Sequence, residues 1–105
     1  MSVSFDDRRK GFESKWAHDA ETRFKVEAKR NYQLGLWAAG LKGLSGDAAD
    51  AFAGTIIAAD LAEPGDEDVF RKLRGELPEA VSDKAIRDKM AEQLQAAIDH
   101  FARQA

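Results

Sequence analysis

The sequence predicts an all-α protein, a four-helix bundle with a flexible N-terminal arm, from its composition and apolar spacing. Only two Pro occur, β-branched residues are sparse, and Ala, Leu, Glu, Lys and Arg dominate. Large apolar residues recur at helical spacing in stretches that short breaks separate. A chain of 105 residues forms one small domain with a modest core. We therefore place the arm at residues 1–19 and the bundle at residues 20–105.

The first helical stretch covers about residues 5–42 and contains the boundary between arm and bundle. Ser4, with Asp7 three residues later, resembles a capping box in which Asp replaces Glu. No large apolar residue occurs between Trp16 and Phe24. The packed part of the chain is therefore expected to begin near Phe24.

The arm is expected to be partly disordered in the free protein. Gly11 costs about 1 kcal/mol relative to Ala in a helix interior. Isolated helices shorter than ~12–15 residues are marginally stable in water. An arm of residues 1–19 would therefore need a partner to become a stable helix.

Three further helices follow, and most of their ends carry a recognisable signal. The second covers about residues 46–61. Acidic residues 66–68 fall in the first turn of the third, where negative charge suits the helix dipole, and Pro78 ends it. Ser82 caps the fourth. The expected core positions of all four stretches are Phe24, Leu34, Trp37, Ala38, Leu41, Ala49, Phe52, Ala53, Ile56, Ala59, Val69, Phe70, Leu73, Leu77, Ile86, Met90, Leu94, Ala97, Ile98 and Phe101.

Charge and hydropathy exclude several classes of protein. The net charge is −3, divided into +3 for residues 1–44 and −6 for residues 45–105. This acidic total argues against general nucleic-acid binding, which needs a concentrated basic face. No apolar run approaches the roughly 20 residues of a membrane span, so direct membrane insertion is not expected. The polar N-terminus does not resemble a signal peptide, and we expect a cytoplasmic protein.

Catalytic and metal-binding patterns find little support in the sequence. The absence of Cys excludes disulfides, thiolate zinc sites and a Cys nucleophile. His18 and His100 are isolated and belong to no metal-type or nucleophile–base pattern. We therefore predict no catalytic residue, no metal and no cofactor, and interpret both His as surface or boundary residues.

An aromatic stripe, formed by Phe5, Phe12 and Trp16, is the strongest functional signal. Spacings of 7 and 4 place the three rings in one narrow line on a helix, with Arg9 in the same line. A helix that packs into a core normally has an apolar band at least about 100° wide. The narrow stripe, among charges of both signs, suits a groove on a partner protein better than a membrane. Folding of the stripe back onto the bundle remains open as the alternative.

A basic cluster at Lys25, Lys29 and Arg30 is a second candidate site. Glu21 lies four residues before Lys25, so a favourable helical ion pair accounts for part of the cluster. A solvated helix face is the simpler interpretation. The alternative is a weak site for a nucleotide phosphate.

Several motifs resemble the zeta-subunit inhibitors of alphaproteobacterial F-type ATP synthases. They are FDDR at 5–8, ESKWAHDAETRFK at 13–25, AKRN at 28–31, LGLWAA at 34–39 and GDEDV at 65–69. The resemblance implies a four-helix bundle with a mobile arm that becomes helical and enters a catalytic interface of the ATPase head. There, next to the rotor, it would block rotation in the direction of ATP hydrolysis. The resemblance thus implies that the protein is an inhibitor and that it is not an enzyme.

The resemblance also implies which residues and partners are involved. The expected partner is the catalytic head, with its alpha, beta and gamma subunits. The protein is expected to be a monomer when free and to lie at the periphery of the inner membrane when it is bound to the ATP synthase. The positions 9–11 read Arg-Lys-Gly where the family pattern has more acid and Ala, which makes the arm more basic and less helical. The alternative function is an all-helical adaptor that docks through the same arm with weak or no inhibition. The expected partner-binding residues, with Arg9 added for its charge, are Phe5, Asp6, Asp7, Arg8, Arg9, Phe12, Lys15 and Trp16.

Overall fold

A computed structural model describes residues 4–62 and 65–104, and these residues form an all-α fold without strands. The prediction of an all-α protein is therefore confirmed. Five helices occur in the described ranges where four helical stretches were expected. They are α1 (Phe5–His18), α2 (Ala20–Leu41), α3 (Gly46–Ala62), α4 (Glu67–Glu76) and α5 (Asp83–Gln104).

The additional helix arises because Asp19 interrupts the first stretch. Its backbone is extended, with φ −104° and ψ 112°, and its N–H donates to the Lys15 carbonyl at 2.9 Å. Its carboxylate accepts from the Glu21 N–H at 3.3 Å and from the Thr22 hydroxyl at 2.5 Å. The hydrogen bond from Thr22 is the main cause that lowers the pKa of Asp19 below its ordinary value. Asp19 thus closes α1 and caps α2 at one residue.

The main core lies among α2, α3, α4 and α5. Its central side chains, from Leu34 on α2 to Ile86 on α5, are fully removed from solvent. All the buried members of this cluster are among the predicted core positions. The buried members of this cluster are Leu34, Ala38, Ile56, Val69, Leu73, Leu77, Ile86 and Met90, and Trp37, Phe52, Phe70 and Val81 pack at its edges.

Two predicted core residues are wrong, because Phe24 and Leu41 are 54% and 50% exposed. At 3.6 residues per turn, Phe24 lies about 80° around α2 from the buried Leu34. Leu41 has the right phase but lies in the last turn of α2, at the end of the packed face. Phe24 was therefore assigned to the core although it lies too far around the helix. Leu41 was assigned from its phase alone, which does not show where the packed face ends.

The α2–α3 contact is unusually close because small residues line it. Gly35 on α2 faces Ala53 on α3, and both are buried. A Cβ atom built on Gly35 would lie 2.4 Å from the Ala53 Cα and 2.8 Å from its Cβ. The observed distance between α2 and α3 therefore requires Gly at position 35.

Core and exposed leucines should differ sharply in their contribution to stability. Leu73→Ala removes a fully buried side chain and is expected to cost about 2–5 kcal/mol of unfolding free energy. Leu41→Ala, the matched control, should change it by less than about 0.5 kcal/mol, since half of this side chain is exposed. Chemical denaturation measures both values. Equal losses in the two variants would contradict this description of the core.

Candidate docking site at the N-terminal helix

Helix α1 lies against α5 and α2, and the aromatic stripe faces α5. Phe12 is buried, and its ring stacks on Phe101 with centroids 6.5 Å apart and an interplanar angle of 19°. The stripe thus belongs to a second apolar cluster, separate from the main core. Its buried members are Phe12, Val26, Ala97, Ile98 and Ala102, with Phe5, Trp16, Leu94 and Phe101 packed at its edges.

Two cations beside the stripe, Arg9 and Arg103, find their partners within this pair of helices. The Arg103 guanidinium of α5 lies 4.8 Å from the centre of the Phe5 ring, in cation–π geometry. Arg9 lies 3.6 Å from Asp6 and 3.9 Å from Glu13, both on its own helix. Such partly exposed i,i+3 and i,i+4 pairs contribute only a few tenths of a kcal/mol. Arg9 can therefore change partners at little energetic cost.

The predicted docking residues are divided between two faces of α1. Phe12 is buried, and Phe5, Arg9 and Trp16 are half-buried on the side that meets α5. The interpretation of the stripe as an unoccupied surface is therefore wrong, and the alternative of folding back describes this structure. The exposed face carries the other charged members of the set: Asp6, Asp7, Arg8 and Lys15.

The second candidate site does not form one cationic surface. Lys25 is exposed and Lys29 half-buried, but Arg30 is only 2% exposed. The Arg30 guanidinium lies 2.8 Å from an Asp66 oxygen and 3.8 Å from an Asp60 oxygen. The Nε of Arg30 also donates to the side-chain oxygen of Asn31 at 3.0 Å. Because two carboxylates neutralise Arg30 inside the fold, it is not available to a nucleotide phosphate beside the two lysines.

Neither His gains a ligand-like setting in the described ranges. His18 is exposed in the last turn of α1. The His100 ring packs edge-on against Phe101, with centroids 4.9 Å apart. In the part of the chain that the structure describes, no three His, Cys, Asp or Glu side chains are grouped as metal ligands. None of the helices in the same ranges is long and apolar enough to cross a membrane.

A comparison with known protein families identifies the family of this chain. The family model of the ATPase inhibitor subunit zeta matches residues 1–100. The chain belongs to this family. The match covers α1 and its junction with α2 as well as the helices of the main core, so the zeta-family relationship extends to the candidate docking helix. The family description is that of an inhibitor of an ATPase, which implies binding to the ATP synthase. No curated protein sequence matches the chain significantly.

Proposed function

We propose that this protein is a regulatory inhibitor of F-type ATP synthase. It blocks ATP hydrolysis by inserting α1, as a helix, at a catalytic interface of the ATPase head near the rotor. The observation that carries the proposal is the zeta-family match over residues 1–100, which includes α1. The same match is consistent with a protein that is not an enzyme. Helices α2–α5 serve as the bundle from which α1 is presented.

We take the packing of α1 on α5 as the resting form of this mechanism. The aromatic stripe can reach a partner only after α1 leaves α5, because Phe12 is buried and stacked on Phe101. Burying an apolar side chain is worth about 1.5–3 kcal/mol, and Phe5 and Trp16 are only half-buried. Opening therefore costs on the order of 3–6 kcal/mol gross. The net cost is smaller, because α1 regains conformational entropy when it is released. An open population of roughly 0.1–10% corresponds to a net cost of a few kcal/mol.

Asp19 is the hinge of this opening. The residue is extended, and the α2 cap depends on its own carboxylate rather than on the rest of α1. Rotation about the backbone of Asp19 would move α1 away while α2 keeps its first turn. The buried Thr22, whose hydroxyl donates to Asp19, anchors the fixed side of the hinge.

The open helix would dock through both of its faces. We propose Phe5, Phe12 and Trp16 as apolar anchors, since desolvated aromatics commonly dominate interface energies. The charged positions add specificity and rate of association rather than most of the affinity. The proposed partner surface is formed by the alpha, beta and gamma subunits of the head, which places the protein at the periphery of the inner membrane. The charged members of the proposed contact set are Asp6, Asp7, Arg8, Arg9 and Lys15.

The test is ATP hydrolysis by the purified cognate head, with and without the full chain. Hydrolysis is expected to fall in a saturable manner, and ATP synthesis by the intact enzyme should fall less. The burial of Phe12 favours one rival, an adaptor that binds the head through the outer face of α1 and inhibits weakly or not at all. Tight binding without loss of hydrolysis would establish that rival and overturn the inhibitor.

A further inference from the structure

An exposed apolar surface lies away from the α1–α5 contact. Phe24 on α2 is 54% exposed and Leu61 on α3 is 64% exposed. Both line one hollow of about 70 Å³, together with Ala28 and Ile57. We call this surface the Phe24–Leu61 hollow. It is distinct from the aromatic stripe, because neither Phe24 nor Leu61 belongs to the cluster around Phe12.

Acidic side chains form the polar rim of the hollow. Asp60 accepts from the Asn31 amide at 2.9 Å and lies 3.8 Å from the buried Arg30, so its charge is partly balanced. Glu27, which is half-buried, makes no hydrogen bond or ion pair with any residue in the described ranges. The hollow therefore contains one carboxylate, Glu27, that has no direct ion-pair partner in the described ranges.

The energetic state of Glu27 supports the same conclusion. Desolvation by burial is the main cause that raises the pKa of Glu27 above its ordinary value, and the nearby Asp60 charge adds to it. The charges of Arg30 and Arg23 offset only part of this rise. Part of this cost would be recovered if a cation approached, because an opposite charge within about 4–6 Å favours the ionised carboxylate. Exposed apolar area beside an acid that is only partly compensated is complementary to a segment that is both apolar and basic.

We infer that the Phe24–Leu61 hollow is a second docking surface, which binds a basic amphipathic segment of the ATPase head. The segment places an apolar side chain between Phe24 and Leu61 and a Lys or Arg beside Glu27. The identity of this partner rests on the proposed function. A second copy of this chain does not fit, because a two-fold contact through the hollow would bring the acidic rims of both copies together. An anionic membrane surface is repelled by the same rim.

The two docking surfaces have different roles in inhibition. The aromatic stripe would block hydrolysis, whereas the hollow would hold the α2–α5 part of the protein on the head. Loss of the hollow should therefore weaken binding without removing the inhibited state. Loss of the stripe should remove the inhibited state itself.

The test uses the full chain with Phe24→Ser and Leu61→Ser combined, and Leu41→Ser as the matched control. Leu41 is also a half-exposed apolar residue of α2, but it does not line the hollow. The double variant should raise the half-inhibitory concentration on the order of tenfold or more, with unchanged maximal inhibition at saturation. The control should behave as wild type, and thermal melting confirms that each variant is folded. An unchanged half-inhibitory concentration in the double variant would overturn the hollow as a docking surface.

A charge series at Glu27 tests the basic partner. Glu27→Lys should weaken binding to the head more than Glu27→Gln, and added salt should weaken wild type more than Glu27→Gln. Direct binding of each variant to the immobilised head is measured beside hydrolysis. If wild type binds without inhibiting, the proposed function fails while a loss of binding in the Phe24/Leu61 variant still supports the hollow. Equal binding of Glu27→Lys and wild type refutes the inference whether or not hydrolysis is inhibited.

Discussion

Replacing Phe12 and Phe101 one at a time is expected to change inhibition in opposite directions. The two rings stack on each other, so either change weakens the closed form of the protein. Phe12 is also a proposed anchor on the ATPase, and truncating a central anchor commonly costs 2 kcal/mol or more, which is roughly 30-fold or more in affinity. Phe101 lies on α5 and contributes to the closed form alone. Phe101→Ala should therefore strengthen inhibition, up to about tenfold, by increasing the open population.

The half-inhibitory concentration for ATP hydrolysis measures both effects. Phe70→Ala is a suitable control, because Phe70 is a half-buried aromatic of the main core that does not belong to the cluster around Phe12. It should lower stability without strengthening inhibition. A shift in the same direction for Phe12→Ala and Phe101→Ala would show that α1 binds without leaving α5.

Gly35→Ala is expected to be among the most damaging single substitutions for stability. The new Cβ would lie 2.4 Å from the Ala53 Cα, and a backbone atom cannot rotate away as a flexible side chain can. Overpacking of a core usually costs 1–3 kcal/mol, and we expect about 3 kcal/mol or more here, because α2 and α3 must separate. At about 4–8 °C per kcal/mol, the melting temperature should fall by roughly 12 °C or more.

Gly40→Ala is the matched control for this substitution. Gly40 lies on the same helix, and a Cβ there meets no atom within 4 Å. Because Ala is the better helix former, the control should gain up to about 1 kcal/mol. Thermal and chemical unfolding of both variants give the comparison. Similar melting temperatures for Gly35→Ala and wild type would show that the two helices do not require the close contact.

The all-α fold class was predictable from the sequence because the signals for helices are local. Ser4 accepts from the Asp7 N–H at 3.2 Å, and Ser82 accepts from the Ala85 N–H at 3.0 Å, as the capping patterns indicate. Apolar spacing placed most of the core for the same reason, since it reports the phase of a single helix. Phe24 shows the limit of such reasoning, because its exposure depends on which neighbours cover each side of α2.

The candidate site was less predictable because its contacts are tertiary. A stripe one residue wide can pack when the opposing helix is shaped to receive it, and α5 offers the small residues Ala97 and Ala102 beside Phe101. These residues were visible in the sequence, but nothing local paired them with Phe12. Arg30 was misleading for a similar reason, since its partners Asp60 and Asp66 lie 30 and 36 positions later.

The packing of α1 on α5 also determines how binding should appear in a calorimeter. An arm that folds only on its target would remove a large apolar area from water at that moment, and would show a large negative heat-capacity change. Here the Phe12 ring is already buried and α1 is already helical in the resting protein. Docking would mainly exchange one apolar neighbour for another and would leave Phe101 newly hydrated. The heat-capacity change of association should therefore be small for the size of the contact, and the temperature dependence of the binding enthalpy correspondingly flat.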